Sequence, residues 1–131
     1  MIGKLKFLAT LGLAAGLAAG ASACGGVTDS RESARDKATK ATCDRYNSCG
    51  LIGTDTGDAY VTYDSCSTQW KANWEQRFPV ATCTAINQSG LNVCLNAIAA
   101  TECTSFVDFL ATLGKCEEVD VCVQPTHPDG G

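Results

Sequence analysis

The stretch DSCSTQWKANWEQRFP (residues 64–79) decides the fold of this chain. Four large or sulfur-containing apolar residues recur in it at four-residue steps: Cys66, Trp70, Trp74 and Phe78. This spacing places side chains on one face of an α-helix, one turn after another. The next residue, Pro79, cannot continue a helix. The sequence therefore predicts a helix from about Asp64 to Phe78 with one heavy apolar stripe.

Two further segments downstream also have helical spacing. In SGLNVCLNAIAA (residues 89–100) Ser89 is a candidate N-cap, and the apolar positions fall at i, i+3, i+4 and i+7: Leu91, Cys94, Leu95 and Ile98. Residues 104–116 repeat that spacing at Phe106, Phe109, Leu110 and Leu113. Residues 117–122 are expected to add one more turn.

A helix over residues 28–48 precedes the Trp-containing helix, with Thr28, Asp29 and Ser30 as candidate N-caps. Its front half contains few large apolar residues, and we expect it to project from the core as a stalk. The fold class predicted from these patterns is all-α: a small four-helix, disulfide-stapled domain behind a lipoprotein signal peptide. The predicted organisation is a signal peptide at 1–23, a lipidated cysteine and short tether at 24–30, a helical domain at 31–122 and a disordered tail at 123–131.

The signal peptide is predicted from three consecutive features. Lys4 and Lys6 form a positive start, Phe7–Gly20 is an uncharged apolar run of fourteen residues, and small residues follow. This run is shorter than the roughly 17–25 apolar residues of a transmembrane helix. The sequence Ala-Ser-Ala-Cys at its end resembles a bacterial lipobox, which implies that Cys24 is acylated and anchors the chain to a bilayer. The alternative is ordinary cleavage after Ala23, which leaves Cys24 as a thiol.

The resemblance to lipoproteins also bears on the compartment. An Asp directly after the acylated cysteine would imply retention at an inner membrane, and this chain has Gly25 there. The localisation that this implies is the bacterial cell envelope, with the lipid anchor in the outer membrane. From Cys24 onward eight basic residues face fourteen acidic ones, so the net charge is −6 against −4 for the whole chain. This charge argues against nucleic acid as a partner and against electrostatic docking on anionic lipid.

Eight of the nine cysteines lie after Cys24, at Cys43, Cys49, Cys66, Cys83, Cys94, Cys103, Cys116 and Cys122. In an exported chain such an even set indicates disulfides, and no two of them have the two-residue gap of a redox or zinc motif. Eight cysteines allow 105 pairings.

Helix geometry favours one cysteine pair in particular. Cys49 closes the first helix and Cys66 opens the second, so an antiparallel hairpin predicts the pair Cys49–Cys66. Cys43 is then expected to reach a later helix. Cys103 and Cys116 are not expected to pair, because a helix between them would hold them about 20 Å apart.

Candidate functional side chains are few, and each has a structural alternative. Trp70 and Trp74 could form a ligand surface or belong to the core. Asp55 and Asp58 could bind calcium or simply form an Asp/Gly turn. The remaining candidates are an acidic docking patch or solvated charge run at 117–120, a site using the only histidine, His127, and an unspecified carboxylate pair. No catalytic residues, metal site or cofactor are predicted.

The series of cysteines and aromatic residues resembles a family of small cysteine-rich bacterial lipoproteins with a natural-product-biosynthesis label. It runs through Cys43, Tyr46, Cys49–Gly50, Tyr60, Cys66, Trp74, Cys83, Leu91, Cys94, Cys103, Cys116 and Cys122. No catalytic residues come with the resemblance. The expected function is a membrane-anchored, non-enzymatic binding or scaffolding module whose partner is an envelope protein or a small molecule. The alternative is an accessory protein that binds or transforms a natural product.

Overall fold

The structure is a computed structural model of the protein, and it describes residues 28–104 and 113–124. Within them the chain forms four helices: α1 (Arg31–Ser48), α2 (Tyr63–Arg77), α3 (Gln88–Ala100) and α4 (Glu118–Val121). Backbone pairing between extended residues in this part is limited to two isolated bridges, Ile52 with Tyr60 and Ile86 with Cys122. The predicted all-α class is confirmed. The signal peptide, Cys24, Phe106, Phe109, Leu110 and His127 lie outside the described residues.

Local capping explains where the helices begin. The Ser30 side chain accepts a hydrogen bond from the Ser33 N–H at the start of α1, as predicted from its residue type. Thr62 caps α2 through a reciprocal capping box with Ser65. Helix α3 begins earlier than expected, because Asn87 rather than Ser89 is its N-cap and accepts from Gly90 N–H. Asn is as good a cap as Ser, so the sequence alone did not separate them.

Helices α1 and α2 form an antiparallel hairpin whose register is visible in its ion pairs. Glu75, near the end of α2, bridges Arg31 and Arg35 near the start of α1 at 3.0 and 2.7 Å. Arg31 also donates to the Phe78 carbonyl at 2.8 Å. The expected stalk is therefore wrong, since the front half of α1 lies along α2. Its buried side chains Ala34 and Ala38 are small, and small side chains let two helix axes approach closely.

The core is one cluster built around the aromatic stripe of α2. Rings of Tyr46, Trp70, Trp74 and Phe78 follow one another with centroids 6.2, 5.8 and 5.5 Å apart. Helix α3 adds the apolar face predicted for it, since Leu91, Cys94 and Ile98 are buried. Leu113, the one described member of the apolar set predicted over 104–116, is also buried. At the end of this part of the chain, Val123 donates its N–H to the Ala85 carbonyl at 2.9 Å.

All eight cysteines after Cys24 are paired in four disulfides: Cys43–Cys66, Cys49–Cys103, Cys83–Cys122 and Cys94–Cys116. Their sequence separations run from 22 to 54 residues. Loops of this length correspond to a stabilisation of about 3–4 kcal/mol per disulfide in the chain-entropy account. As expected, Cys103 and Cys116 are not bonded to each other.

The predicted pair Cys49–Cys66 is wrong, although the hairpin on which it was based is present. Cys66 lies within the first turn of α2, and the residue level with it on α1 is Cys43, with a Cα–Cα distance of 5.9 Å. Cys49 lies six residues farther along, which is roughly 9 Å of helix axis and outside disulfide reach. The expectation that Cys43 reaches a later helix than α2 is wrong for the same reason. Cys49, as the C-cap of α1, bonds instead to Cys103 beyond the end of α3.

Candidate functional site

An open groove runs between α1 and the first half of α2, with a volume of about 480 Å³. Two sets of side chains line it: Asp36, Thr39 and Lys40 from α1, and Tyr63, Asp64, Ser67, Thr68 and Lys71 from α2. From Asp64 onward the α2 residues recur at i, i+3, i+4 and i+7, and those of α1 at i, i+3 and i+4. This spacing turns one polar face of each helix toward the other. We call this feature the α1–α2 groove.

Ion pairs hold the charged side chains of the groove in place. Lys71 Nζ lies 3.5 Å from Asp36 Oδ1, and Lys40 Nζ lies 2.5 Å from Oδ2 of Asp44, one turn farther along α1. These pairs are exposed, with 50–73% of each side chain accessible. Exposed pairs of this kind contribute little to stability, typically about 0–1 kcal/mol. Their effect is to balance charge locally, so that the α1–α2 groove has no strong electrostatic sign.

Tyr63 is the aromatic member of the α1–α2 groove and is fixed by Asp44. Its hydroxyl donates to Asp44 Oδ1 at 2.7 Å, while 38% of the residue remains exposed. Partial burial and this hydrogen bond to a carboxylate raise the pKa of Tyr63 to about 12. Hydrogen bonds from Lys40 and Tyr63 lower the pKa of Asp44. Tyr63 is therefore a neutral, oriented and partly exposed side chain at neutral pH.

Three side chains of the α1–α2 groove offer free hydrogen-bonding capacity. Asp64 and Thr68 are exposed and Ser67 is half-buried, and none of the three has a side-chain hydrogen-bond partner among the described residues. A carboxylate and two hydroxyls can together accept and donate several hydrogen bonds. The arrangement can bind a polar ligand. It does not contain the pairing of a nucleophile with an oriented base that covalent catalysis requires.

The structure places Trp70 and Trp74 in the core. Trp70 is 7% exposed and Trp74 is fully buried, so of the two alternatives, ligand surface or core, the core is the observed one. Both indoles belong to the aromatic row of α2, where their ring planes are tilted by 35° to each other, and the Arg77 guanidinium lies 5.8 Å from the Trp74 ring centroid. The same helix thus presents a buried aromatic face and, next to it, the polar face of the α1–α2 groove.

The structure describes both acidic candidate segments. Asp55 N–H donates to Asp58 Oδ2 at 2.8 Å and Asp58 N–H to the Asp55 carbonyl at 3.1 Å, so these residues form the predicted turn. Glu117, Glu118 and Asp120 lie at the start of α4. Within residues 28–104 and 113–124 no group of three His, Cys, Asp or Glu side chains is arranged to hold a metal ion.

Sequence reasoning missed the α1–α2 groove. The signal that could have found it is the polar series from Asp64 to Lys71, which has the same i, i+3, i+4, i+7 spacing that marks a buried stripe. Polar residues at this spacing are usually a solvated face. Only the antiparallel packing of α1 turns this face into one wall of a groove.

No helix in the described segments combines the length and apolar character needed to cross a bilayer.

Comparison with known proteins completes this description. Neither the curated proteins nor the solved structures contain a significant match to the chain. Residues 43–124, which hold all four disulfides, match the model of one family. The chain therefore belongs to that family, a family of unknown function (DUF6184).

Proposed function

We propose that this protein is an exported, lipid-anchored module of the bacterial cell envelope that binds or scaffolds other molecules without catalysing a reaction. The observation that carries the proposal is the cysteine pairing. Eight of the nine cysteines are consumed in four disulfides within the folded domain, and Cys24 is the one left over. A domain that relies on four disulfides requires an oxidising compartment, which supports export.

Lipidation gives the remaining cysteine a function. Cys24 follows an apolar run and the small residues Ala-Ser-Ala, the arrangement that resembles a lipobox. Each buried methylene group of an acyl chain contributes about 0.8 kcal/mol, so two or three chains on one cysteine anchor a protein stably. The residue after Cys24 is Gly25, which supports the outer membrane as the destination.

The α1–α2 groove is the binding surface in this proposal. Its volume of about 480 Å³ is in the range that small ligands occupy. Its walls are two helices joined by the buried Cys43–Cys66 disulfide, which lies one residue from Ser67 in the sequence. A site on a cross-linked hairpin loses little conformational entropy when a ligand binds. Its free carboxylate and hydroxyl groups suit a polar ligand that carries hydroxyl or amide groups.

A role in handling a natural product is the alternative, and it is supported by the resemblance in cysteine and aromatic spacing alone. Because Trp70 and Trp74 are buried, an aromatic product could not stack on them. In this alternative, too, the product would bind in the α1–α2 groove.

The anchor is tested by replacing the cysteine that carries it. We expect Cys24→Ser to abolish metabolic labelling with palmitate and to shift the protein from the membrane fraction. The matched control is the double variant C49S/C103S, which removes a cysteine pair elsewhere and should still be labelled. Unchanged labelling of Cys24→Ser would overturn the lipid-anchor proposal.

A further inference from the structure

We propose that the Cys49–Cys103 disulfide is a site of thiol–disulfide exchange, opened selectively by a dithiol reductant while the other three disulfides stay closed. The inference does not depend on the binding function proposed above. It rests on where this bond lies in the fold and on which parts of the chain it connects.

Solvent access separates this disulfide from the other three. The six cysteines of Cys43–Cys66, Cys83–Cys122 and Cys94–Cys116 are each at most 1% exposed. Cys103 is exposed and Cys49 is half-buried. Exchange requires a thiolate to reach a sulfur atom along the S–S axis, so accessible disulfides are the labile ones and buried disulfides are protected.

The connectivity gives this bond a distinct role. The chain can be divided into an N-terminal half, the α1–α2 hairpin, and a C-terminal half, the part of the chain after it. Cys43–Cys66 lies wholly within the N-terminal half, and Cys83–Cys122 and Cys94–Cys116 lie wholly within the C-terminal half. Of the four disulfides, only Cys49–Cys103 cross-links the two halves. Each half therefore keeps its own disulfide or disulfides when this bond opens, while the disulfide cross-link between the halves is lost.

A hydrogen bond lies next to the disulfide. Arg45, in the last turn of α1, donates through Nε to the Thr101 carbonyl at 2.6 Å, two residues before Cys103. Thr101 ends α3, and its N–H donates to the Ile98 carbonyl. Opening the disulfide removes the cross-link between the end of α1 and the segment after α3, so residues 101–104 gain freedom.

The exchange follows the usual two steps. A thiolate of the dithiol attacks Sγ of the more exposed Cys103, a mixed disulfide forms, and Sγ of Cys49 leaves as a thiolate. The second thiol of the reductant then attacks the mixed disulfide and releases Cys103 as a thiolate. The dithiol is oxidised to a disulfide by two electrons, and the protein gains two thiols after protonation.

The test is reduction of the native protein by dithiothreitol, followed at intervals by alkylation and peptide mass spectrometry. We expect Cys49 and Cys103 to become alkylated together, at least roughly tenfold faster than the other six cysteines. In denaturing urea all four disulfides should be reduced at similar rates, because the difference comes from the fold. Equal rates in the native protein, or earlier opening of another pair, would overturn the proposal.

Two double variants test whether the fast reduction belongs to the Cys49–Cys103 disulfide. C49S/C103S should lose the fast phase while the other six cysteines stay protected, whereas C43S/C66S, the matched control, should retain a fast phase at Cys49 and Cys103. Amide hydrogen exchange of the partly reduced wild-type protein should increase at residues 101–104 and at the end of α1. Unchanged exchange there would contradict the expected gain of freedom in residues 101–104.

Discussion

Gly90 lies where α3 approaches α4, and replacing it by alanine tests this packing directly. A Cβ atom at position 90 would lie 2.7 Å from the carbonyl carbon of Asp120 and would overlap its oxygen. Carbon atoms in contact are normally about 3.5–4.0 Å apart. Because the obstacle is backbone, it cannot swing aside, and α4 would have to move by roughly 1 Å.

The expected loss of stability follows from the packing and the hydrogen bonds that this movement of α4 would disturb. Asn87 Nδ2 donates to the Asp120 carbonyl at 3.1 Å, and Asn87 N–H donates to the Val121 carbonyl at 2.8 Å. Overpacking of this kind costs about 1–3 kcal/mol, and each weakened hydrogen bond adds about 1 kcal/mol. Alanine recovers at most about 1 kcal/mol through its higher helix propensity. We therefore expect Gly90→Ala to lower the free energy of unfolding by about 2–4 kcal/mol.

The assay is urea unfolding of the oxidised protein, monitored by circular dichroism. Ser89→Ala is the matched control, since Ser89 is an exposed neighbour on the same helix and should stay within about 0.5 kcal/mol of wild type. If Gly90→Ala proved as stable as Ser89→Ala, the close approach of α3 and α4 would be refuted.

Two further predictions concern pH. Hydrogen bonds from basic partners lower the pKa values of Asp29 and Glu75, and those from Lys40 and Tyr63 lower that of Asp44. The stabilisation that these three carboxylates contribute is present above their ordinary pKa values of 3.8–4.5 and is lost as pH falls through their lowered pKa values. The urea concentration at the midpoint of unfolding should therefore be constant from pH 7 to about 5 and then fall. A constant midpoint down to pH 3 would contradict these ion pairs. The raised pKa of Tyr63, about 12 against an ordinary 10.0, implies stability that is present below pH 10 and lost as pH rises through 12. Absorbance titration near 295 nm should show that Asp44→Asn lowers this pKa, and an unchanged titration curve would exclude the Tyr63–Asp44 hydrogen bond.

Helix positions could be predicted from the sequence because they depend on local spacing. Trp70, Trp74 and Phe78 mark the buried face of α2 whatever lies opposite, and Pro79 limits its end. The start of α1 at Ser30 follows from a capping preference that is equally local. The stalk was mispredicted because Ala34 and Ala38 look weakly apolar in sequence, although small side chains allow the closest helix packing.

Disulfide pairing and the α1–α2 groove depend on how two helices face each other, which local spacing does not determine. Cys43 and Cys49 lie roughly 9 Å apart along α1, so the register of the two helices decides which of them comes within disulfide reach of Cys66. In the same way, Asp64 and Lys71 become a groove wall only because Asp36 of α1 lies opposite them. In both cases the sequence did not determine the register of α1 relative to α2.

The order of the bonded cysteines along the chain has a consequence for biosynthesis. Counted from Cys43, the bonds join the first cysteine to the third, the second to the sixth, the fourth to the eighth and the fifth to the seventh. None joins immediate neighbours, so an oxidant that couples cysteines in order of emergence would first form Cys43–Cys49, which is absent from the native set. The native pattern then requires either isomerisation or helix packing before oxidation. If oxidation is faster than helix packing, a producing cell that only oxidises thiols would accumulate scrambled protein, whereas one with a disulfide isomerase, or refolding in a glutathione couple, should yield the native domain.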